Sequence, residues 1–345
     1  MQAVELEREA AHRLPRIVAE LFDESEPGEV LTPASRDSRV DGFIEAGGRR
    51  WAVEVKASSS PGTIAAAADQ LATVTGQDVV PVLVVPYMTP AGARAAADRR
   101  LNWIDLSGNA CLRGDDLYVR VQGRPNQFSA RGRPSSAFAP KSSRVARALL
   151  LDPARWWVQK EIADHTRLDR GHVSRVVRRL DDDQLLERDG YRLRPRDPDL
   201  MLDAWADAYR FDRHDILSGH LSGAGIELAR DLDQRLHSAK VDHAFTGLPA
   251  AWAINRFARF RLTSVYVAGD PRTAANAVGL RRNERGANVQ LIGPDDDGVF
   301  DGQRMIGDLP CVSPVQVYLD LGSLPERAAE AAEQLRAGML WHAGP

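Results

Sequence analysis

The sequence predicts a multidomain α/β protein, on three observations. Its 345 residues, set against about 150 residues per domain, allow two or three domains that each bury a core. Helical and strand-like runs alternate in the first and last thirds of the chain, as α/β or α+β units require. Between them a basic run of short helices closes on a hairpin signal, preceded by the Gly-, Pro-, Ser- and Arg-rich stretch GRPNQFSARGRPSSAFAPKSS, which reads as a linker. The expected boundaries are 1–124 for an α/β domain, 125–140 for the linker, 141–196 for the central module and 197–345 for an α/β or α+β domain.

In the first domain, residues 6–21 have helical period, with Leu14, Ile17, Val18 and Leu21 on one face. Pro15 falls inside that stretch, so the helix either kinks there or starts afresh. RVDGFIEAGGRRWAVEVKAS alternates on both sides of Ala46-Gly47-Gly48-Arg49 and reads as a hairpin. An Ala-rich helix over 64–74 follows, then the apolar run VVPVLVVP, expected as a strand covered on both faces. A second Ala-rich helix over 90–100 and the short strand LNWIDL close the domain.

In the central module, residues 143–151 place Val145, Leu149 and Leu150 at helical spacing. QKEIADH is a short helix with Ile162 and Ala163 inward, and Thr166-Arg167-Leu168-Asp169 is a break. RGHVSRVVRRLDDD then buries Val173, Val176, Val177 and Leu180 and turns Arg170, His172, Ser174, Arg175, Arg178 and Arg179 outward. In LLERDGYRLRP, Asp189-Gly190 between alternating runs signals a hairpin. The last domain opens on the helical DLMLDAWADAYRF, has strand candidates SVYVAG and NVQLIG, and ends on the helical ERAAEAAEQLRAGML.

Composition excludes several classes. With 43% hydrophobic and 27% charged residues the chain is an ordinary globular protein, not a disordered one. No apolar run approaches the roughly 18 residues of a membrane helix, and the start MQAVELEREA is unlike a signal peptide; a cytoplasmic protein with no membrane partner is expected. Cys111 and Cys311 are the only cysteines, too few for a disulfide framework or a Cys-based metal cage.

The net charge of −3 is unevenly spread: residues 131–196 carry 16 Arg/Lys against 9 Asp/Glu. A basic middle between acidic flanks points to nucleic acid. Only 4 of the chain's 45 basic residues are Lys, so arginine richness alone is a compositional habit; its placement carries the argument. A helix whose N-terminal half enters the major groove needs Arg to bridge guanine O6 and N7, with Ser and His at phosphates. Arg188, Arg192 and Arg194 on the hairpin suit the adjacent backbone. His172 either faces DNA or caps and packs locally. The pattern closely resembles the winged helix-turn-helix of MarR- and IclR-like bacterial regulators.

The first-domain hairpin carries a second constellation. Period-2 alternation puts Glu54 and Lys56 on one face, and the turn brings Asp41 near Glu54. Two carboxylates and a strand carbonyl are hard oxygen donors suited to Mg²⁺, and a neighbouring lysine can orient water or stabilise charge on phosphate. Asp41, Glu54 and Lys56 resemble the Asp…Glu-x-Lys pattern of the PD-(D/E)xK restriction-endonuclease-like superfamily. That resemblance implies such a fold over the first domain, Asp41 and Glu54 as metal ligands, and supporting roles for Glu20 and Gln70 on flanking helices.

LNWIDLSGNACL, FAPKSSRVARALLLDP, HAFTGLPAAW and CVSPVQVYLDL together resemble bacterial AbiEi-type antitoxins of type IV toxin–antitoxin systems, over most of the chain. The resemblance implies a winged helix that represses its own operon, a larger C-terminal domain and a cognate toxin.

Blander readings are expected elsewhere. Asp295-Asp296-Asp297-Gly298 reads as a surface turn, because EF-hand spacing is missing. Asp242 and His243 read as a helix N-terminus, and Trp205, Tyr209 and Phe211 as core or dimer packing. No Ser-His-Asp set, P-loop or dinucleotide fingerprint stands in a suitable context. The expectation is a sequence-specific duplex-DNA-binding transcriptional regulator of antitoxin type, acting as a homodimer. The alternative is a Mg²⁺-dependent endonuclease that cuts with Asp41, Glu54 and Lys56.

Overall fold

The computed structural model describes residues 3–25, 30, 40–74, 79–114, 116–128, 136–256, 259–282, 285–324 and 328–338. Helix α1 (Ala3–Phe22) runs unbroken through Pro15. Proline removes one hydrogen bond to the residue four back; that residue, Ala11, is exposed, so its freed carbonyl lies on the solvent side of the helix. Strands β1 (Gly42–Ala46) and β2 (Arg49–Val55) form the expected hairpin. Gly47 and Gly48 at its turn have φ of 58° and 68°, the left-handed pair a two-residue turn needs.

The elements α2 (Pro61–Leu71), β3 (Val79–Val85), α3 (Pro90–Asp98) and β4 (Asn102–Asp105) follow. A second hairpin, β5 (Ala110–Gly114) and β6 (Leu117–Val121), completes a six-stranded sheet in the order β1-β2-β3-β4-β5-β6. That hairpin was not expected, because its strands are short and mostly exposed beyond Leu112. α1 packs with Trp51, Val53, Val82, Val84 and Leu112 on one face of the sheet. α2 and α3 pack with Ala52, Leu83, Val85 and Trp103 on the other. β3 is therefore covered on both sides, as its apolar run requires. In the phrase LNWIDLSGNACL, the buried Asp105 accepts backbone N–H groups from Met88, Ser107 and Asn109 and the Asn109 side-chain amide. The phrase is thus a structural turn whose buried carboxyl group is hydrogen-bonded on both oxygens.

The central elements are α4 (Ser143–Leu151), β7 (Trp157–Val158), α5 (Gln159–Thr166), α6 (Arg170–Asp182), β8 (Leu186–Asp189) and β9 (Arg192–Pro195). The strands pair in the order β7-β9-β8, with Gly190 at φ 58° in the hairpin turn. Of the expected linker, residues 129–135 lie outside the described residues.

Helix α7 (Pro198–Ala208) leads to β10 (Asp215–His220), α8 (Gly225–Ser238), β11 (His243–Thr246), α9 (Gly247–Asn255), β12 (Thr263–Val267), α10 (Pro271–Val278) and β13 (Arg281–Arg282). Then come β14 (Val289–Gly293), β15 (Arg304–Ile306), β16 (Leu309–Cys311), α11 (Pro314–Leu321) and α12 (Ala328–Ala337). Seven strands form one sheet, β13-β10-β14-β12-β11-β16-β15. β12 lies parallel to β14 and antiparallel to β11, so the sheet is mixed. His243 opens a strand, not a helix; its ring nitrogens meet the Val241 carbonyl at 2.8 Å and Asp233 at 2.9 Å.

The chain divides into two compact units. One comprises Met1–Pro134, Arg179–Leu186 and Asp199–Asp207; the other comprises Ser135–Arg178, Glu187–Pro198 and Ala208–Pro345. The first therefore takes in the end of α6, where Ser58 Oγ donates to the Asp183 carboxylate and Ser60 Oγ to the Asp183 carbonyl. No helix among the described residues is long and apolar enough to cross a membrane.

Candidate nucleic-acid interface and candidate metal centre

Helix α6 is started by Asp169, whose carboxylate accepts the His172 N–H at 2.8 Å and whose carbonyl accepts the Val173 N–H at 3.1 Å. This cap, with the positive N-terminal end of the helix, suits an anion, and the His172 N–H holds the Asp169 carboxyl below its ordinary range. Val173, Val176, Val177 and Leu180 are buried, as their spacing requires. Arg170, Ser174, Arg175 and Arg178 are exposed, and Arg179 is half-buried. None of the four arginines makes an ion pair among the described residues. His172 is not an open contact: its Nε2 lies 3.0 Å from Ser142 Oγ.

The hairpin carries three arginines. Arg188 and Arg192 are exposed. Arg194 is occupied: its Nε donates to Glu187 at 2.9 Å and its guanidinium lies 4.4 Å over the Trp156 ring. Tyr191, beside the turn, is 76% exposed.

Behind α6, α4 presents two arginines inward. Arg144 forms a two-pronged pair with Asp296, Nε to Oδ1 at 2.6 Å and Nη2 to Oδ2 at 2.9 Å. Arg147 is 2% exposed and donates from Nη2 to Gln316 Oε1 at 2.7 Å. Gln316 Nε2 in turn donates to Asp320 Oδ1 at 2.7 Å. Asp320, with no exposed surface, also accepts from Tyr209 at 2.5 Å, from Tyr266 at 3.1 Å and from Thr246. His214 Nδ1 accepts the Asp295 N–H at 3.1 Å, which leaves Nε2–H to face the Tyr209 and Tyr266 oxygens at 2.9 and 3.1 Å. Burial raises the Asp320 carboxyl, and burial with the Asp320 charge drives both tyrosines well above their ordinary value.

The sequence singles out Tyr209, Asp295 and Asp296 among these residues, but not Arg147, His214, Tyr266, Gln316 or Asp320. Gln316 and Asp320 stand four apart in CVSPVQVYLDL, one turn on a single helix face; that spacing of polar residues in an apolar run was the available signal. Asp296, expected on a surface turn, is mostly buried against Arg144.

In the first unit, the end of β2 assembles four of the five expected residues. Asp41 Oδ2 accepts the Val55 N–H at 2.8 Å, and the Asp41 N–H pairs with the Val53 carbonyl. Lys56 Nζ lies 2.5 Å from Glu54 Oε1 and 3.2 Å from Gln70 Oε1. Glu54 alternates with Val53 and Val55, which belong to the α1 face, and so points to the α2 face that carries Gln70. Burial raises the Glu54 carboxyl; the Lys56 bond lowers it and the neighbouring Asp41 charge raises it. Glu20 does not join them: it pairs with Arg16 and Arg124, on the helix that covers the opposite face. Among the described residues no three His, Cys, Asp or Glu side chains gather as a metal site. The donor set is therefore two carboxylates, Asp41 and Glu54, with the Gln70 amide oxygen beside them.

Residues 193–340 match a family model described as transcriptional regulator, AbiEi antitoxin, type IV TA system. No curated protein and no solved structure matches the chain. The match starts within β9 and runs past α12, so HAFTGLPAAW and CVSPVQVYLDL fall inside it, and LNWIDLSGNACL and FAPKSSRVARALLLDP outside. The expected resemblance over most of the chain is thus narrowed to its C-terminal part.

Proposed function

We propose that the chain is a duplex-DNA-binding transcriptional regulator of antitoxin type, in which α4 to β9 act as a winged helix-turn-helix. The observation that carries this reading is the outer face of α6, where Arg170, Arg175 and Arg178 are exposed over a buried Val/Leu stripe. A helix of 13 residues is about 20 Å long, enough for its N-terminal half to lie in a major groove. Arg188 and Arg192 on the hairpin add contacts to the flanking phosphates. His172 and Arg194 position the elements that carry them. The C-terminal family match supports the regulator and antitoxin role and a cognate toxin as partner. A palindromic site implies a homodimer, because half-site symmetry mirrors protein symmetry. The test is a salt titration of binding to a labelled duplex taken from upstream of the chain's own coding sequence, beside a scrambled duplex. Wild-type preference for the first, with affinity lost in Arg175→Ser/Arg178→Ser, supports the reading; no binding to either at low salt ends it.

A second reading is favoured by one observation, the meeting of Asp41, Glu54, Lys56 and Gln70. The donor set suits a hard divalent cation, and Asp41 and Glu54 would hold it. When bound, Mg²⁺ would supply a Lewis acid for a phosphoryl oxygen. In its absence Lys56 neutralises the buried Glu54. Plasmid nicking that needs Mg²⁺ and disappears in both Glu54→Ala and Lys56→Ala would establish an endonuclease; intact plasmid at high protein concentration excludes it.

A further inference from the structure

The seven-stranded sheet ends on one side in a rim of arginines that neither α6 nor the hairpin contributes. Arg282 pairs with Gly219, Gly219 with Val289, and Val289 with Thr263. These four residues form one row across β13, β10, β14 and β12, about 15 Å wide at strand spacing. The row closes at the β13 edge because position 219 is glycine: a Cβ there would lie 2.7 Å from the Arg281 carbonyl oxygen. Arg259 and Arg261 lie on the segment that enters β12 at Thr263.

Asn288 ties this end together. Its Oδ1 accepts the Leu221 N–H at 3.0 Å, and its Nδ2 donates to the carbonyls of Leu221 and Gly223 at 2.8 and 3.1 Å. Its backbone bridges Gly219 and Thr263. Asn288 thus fixes the loop after β10 with its side chain and joins β10 to the start of β12 with its backbone.

Arg259, Arg261, Arg281 and Arg282 are all exposed, and none makes an ion pair among the described residues. Glu227, on the helix entered at this end, is engaged by Arg230; Glu284 lies outside the described residues. Four like charges in one rim repel each other in the free protein, in a chain whose net charge is −3. Their planar donor forks match phosphate. At one phosphate per 3.4 Å of axis on a strand, a rim of about 15 Å spans about four phosphates.

We propose that this rim is a second phosphate-backbone contact for duplex DNA, independent of α6. It rests on the DNA-binding reading above and extends that reading from the central module to the C-terminal sheet. The experiment uses the full chain and the same labelled duplex. In the fourfold variant Arg259→Ser/Arg261→Ser/Arg281→Ser/Arg282→Ser, affinity at moderate salt falls by about tenfold or more, and the slope of log K on log [salt] becomes shallower by about 2 to 4. The fourfold Arg→Lys variant keeps both within about threefold, because phosphate contact needs the charge first. An unchanged thermal transition in both variants shows that the sheet end still folds. Affinity and slope equal to wild type in the serine variant overturn the rim while Arg175→Ser/Arg178→Ser still weakens binding. Wild-type protein that binds no duplex overturns rim and DNA reading together.

Discussion

Helix α4 directs Arg144 and Arg147 into the second unit, against Asp296 and Gln316, whereas the outer face of α6 turns Arg170, Arg175 and Arg178 into solvent with no ion pair among the described residues. Both helices are arginine-bearing and amphipathic, and both sit in the stretch whose surplus of basic residues pointed to nucleic acid. The difference teaches that a cationic segment is two populations. Desolvated guanidinium groups need fixed acceptors and set register; hydrated ones are free to be desolvated by a ligand. Only the second population can supply affinity for phosphate.

The comparison predicts opposite outcomes for similar substitutions. The largest effect is expected at Gln316→Ala, which strips acceptors and donors from Arg147, Asp320 and both tyrosines at once. It should lower stability by about 3–5 kcal/mol in urea unfolding, and pairing it with Arg147→Met should recover much of the loss, because an apolar pair carries no stranded charge. Arg144→Ala is next, at about 2 kcal/mol for a charge-assisted pair that is mostly buried; if it costs as little as a surface substitution, the inward population is not structural. Arg175→Ser/Arg178→Ser should change stability by less than about 0.5 kcal/mol yet make the salt slope of duplex binding shallower by about 2. A stability loss there comparable to that of Arg144→Ala would erase the distinction between the helices.

The smallest effect concerns Glu54, a buried charge of the other sign. Its carboxyl is raised in the folded chain, so the folded state holds the proton more tightly than the unfolded one. Stability therefore declines as pH climbs from the ordinary carboxylate range through the raised value. Glu54→Gln should flatten that part of the profile in chelator-treated protein and raise stability only on its alkaline side. A profile identical to wild type would mean that Lys56 compensates the charge fully.

Much of the fold was legible because local chemistry agreed with the final structure. The glycine pair of the first hairpin, the doubly covered β3 and the Asp169-led helix each follow from a few adjacent residues. β5, β6, β10, β11, β15 and β16 were not legible: they are short, and pairing partners distant in sequence decide them. The same holds for function. Glu54, Lys56 and Gln70 lie within seventeen positions of one another and could be gathered from strand and helix period. Glu20 could not be placed, since its face of α1 depends on which side of the sheet that helix covers. Arg147 and Gln316 stand 169 positions apart, and no periodicity links them. His172 and Arg194 matched their pattern by type, but Ser142 and Trp156, the neighbours that occupy them, are decided by tertiary packing.

The bond from Arg147 to Gln316 also bears on where the chain can be cut. A fragment beginning at residue 193 would keep Gln316, Asp320 and both phenols but discard the helix that roofs them. Water would then enter a layer now sealed, and the remnant would unfold at lower denaturant than the whole. Excising α4 through β9 alone would in turn open the Arg147 guanidinium to solvent and leave a small three-stranded module without its brace. A C-terminal fragment that keeps this layer sealed must therefore include α4, although residues 179–186 and 199–207 belong with the first unit.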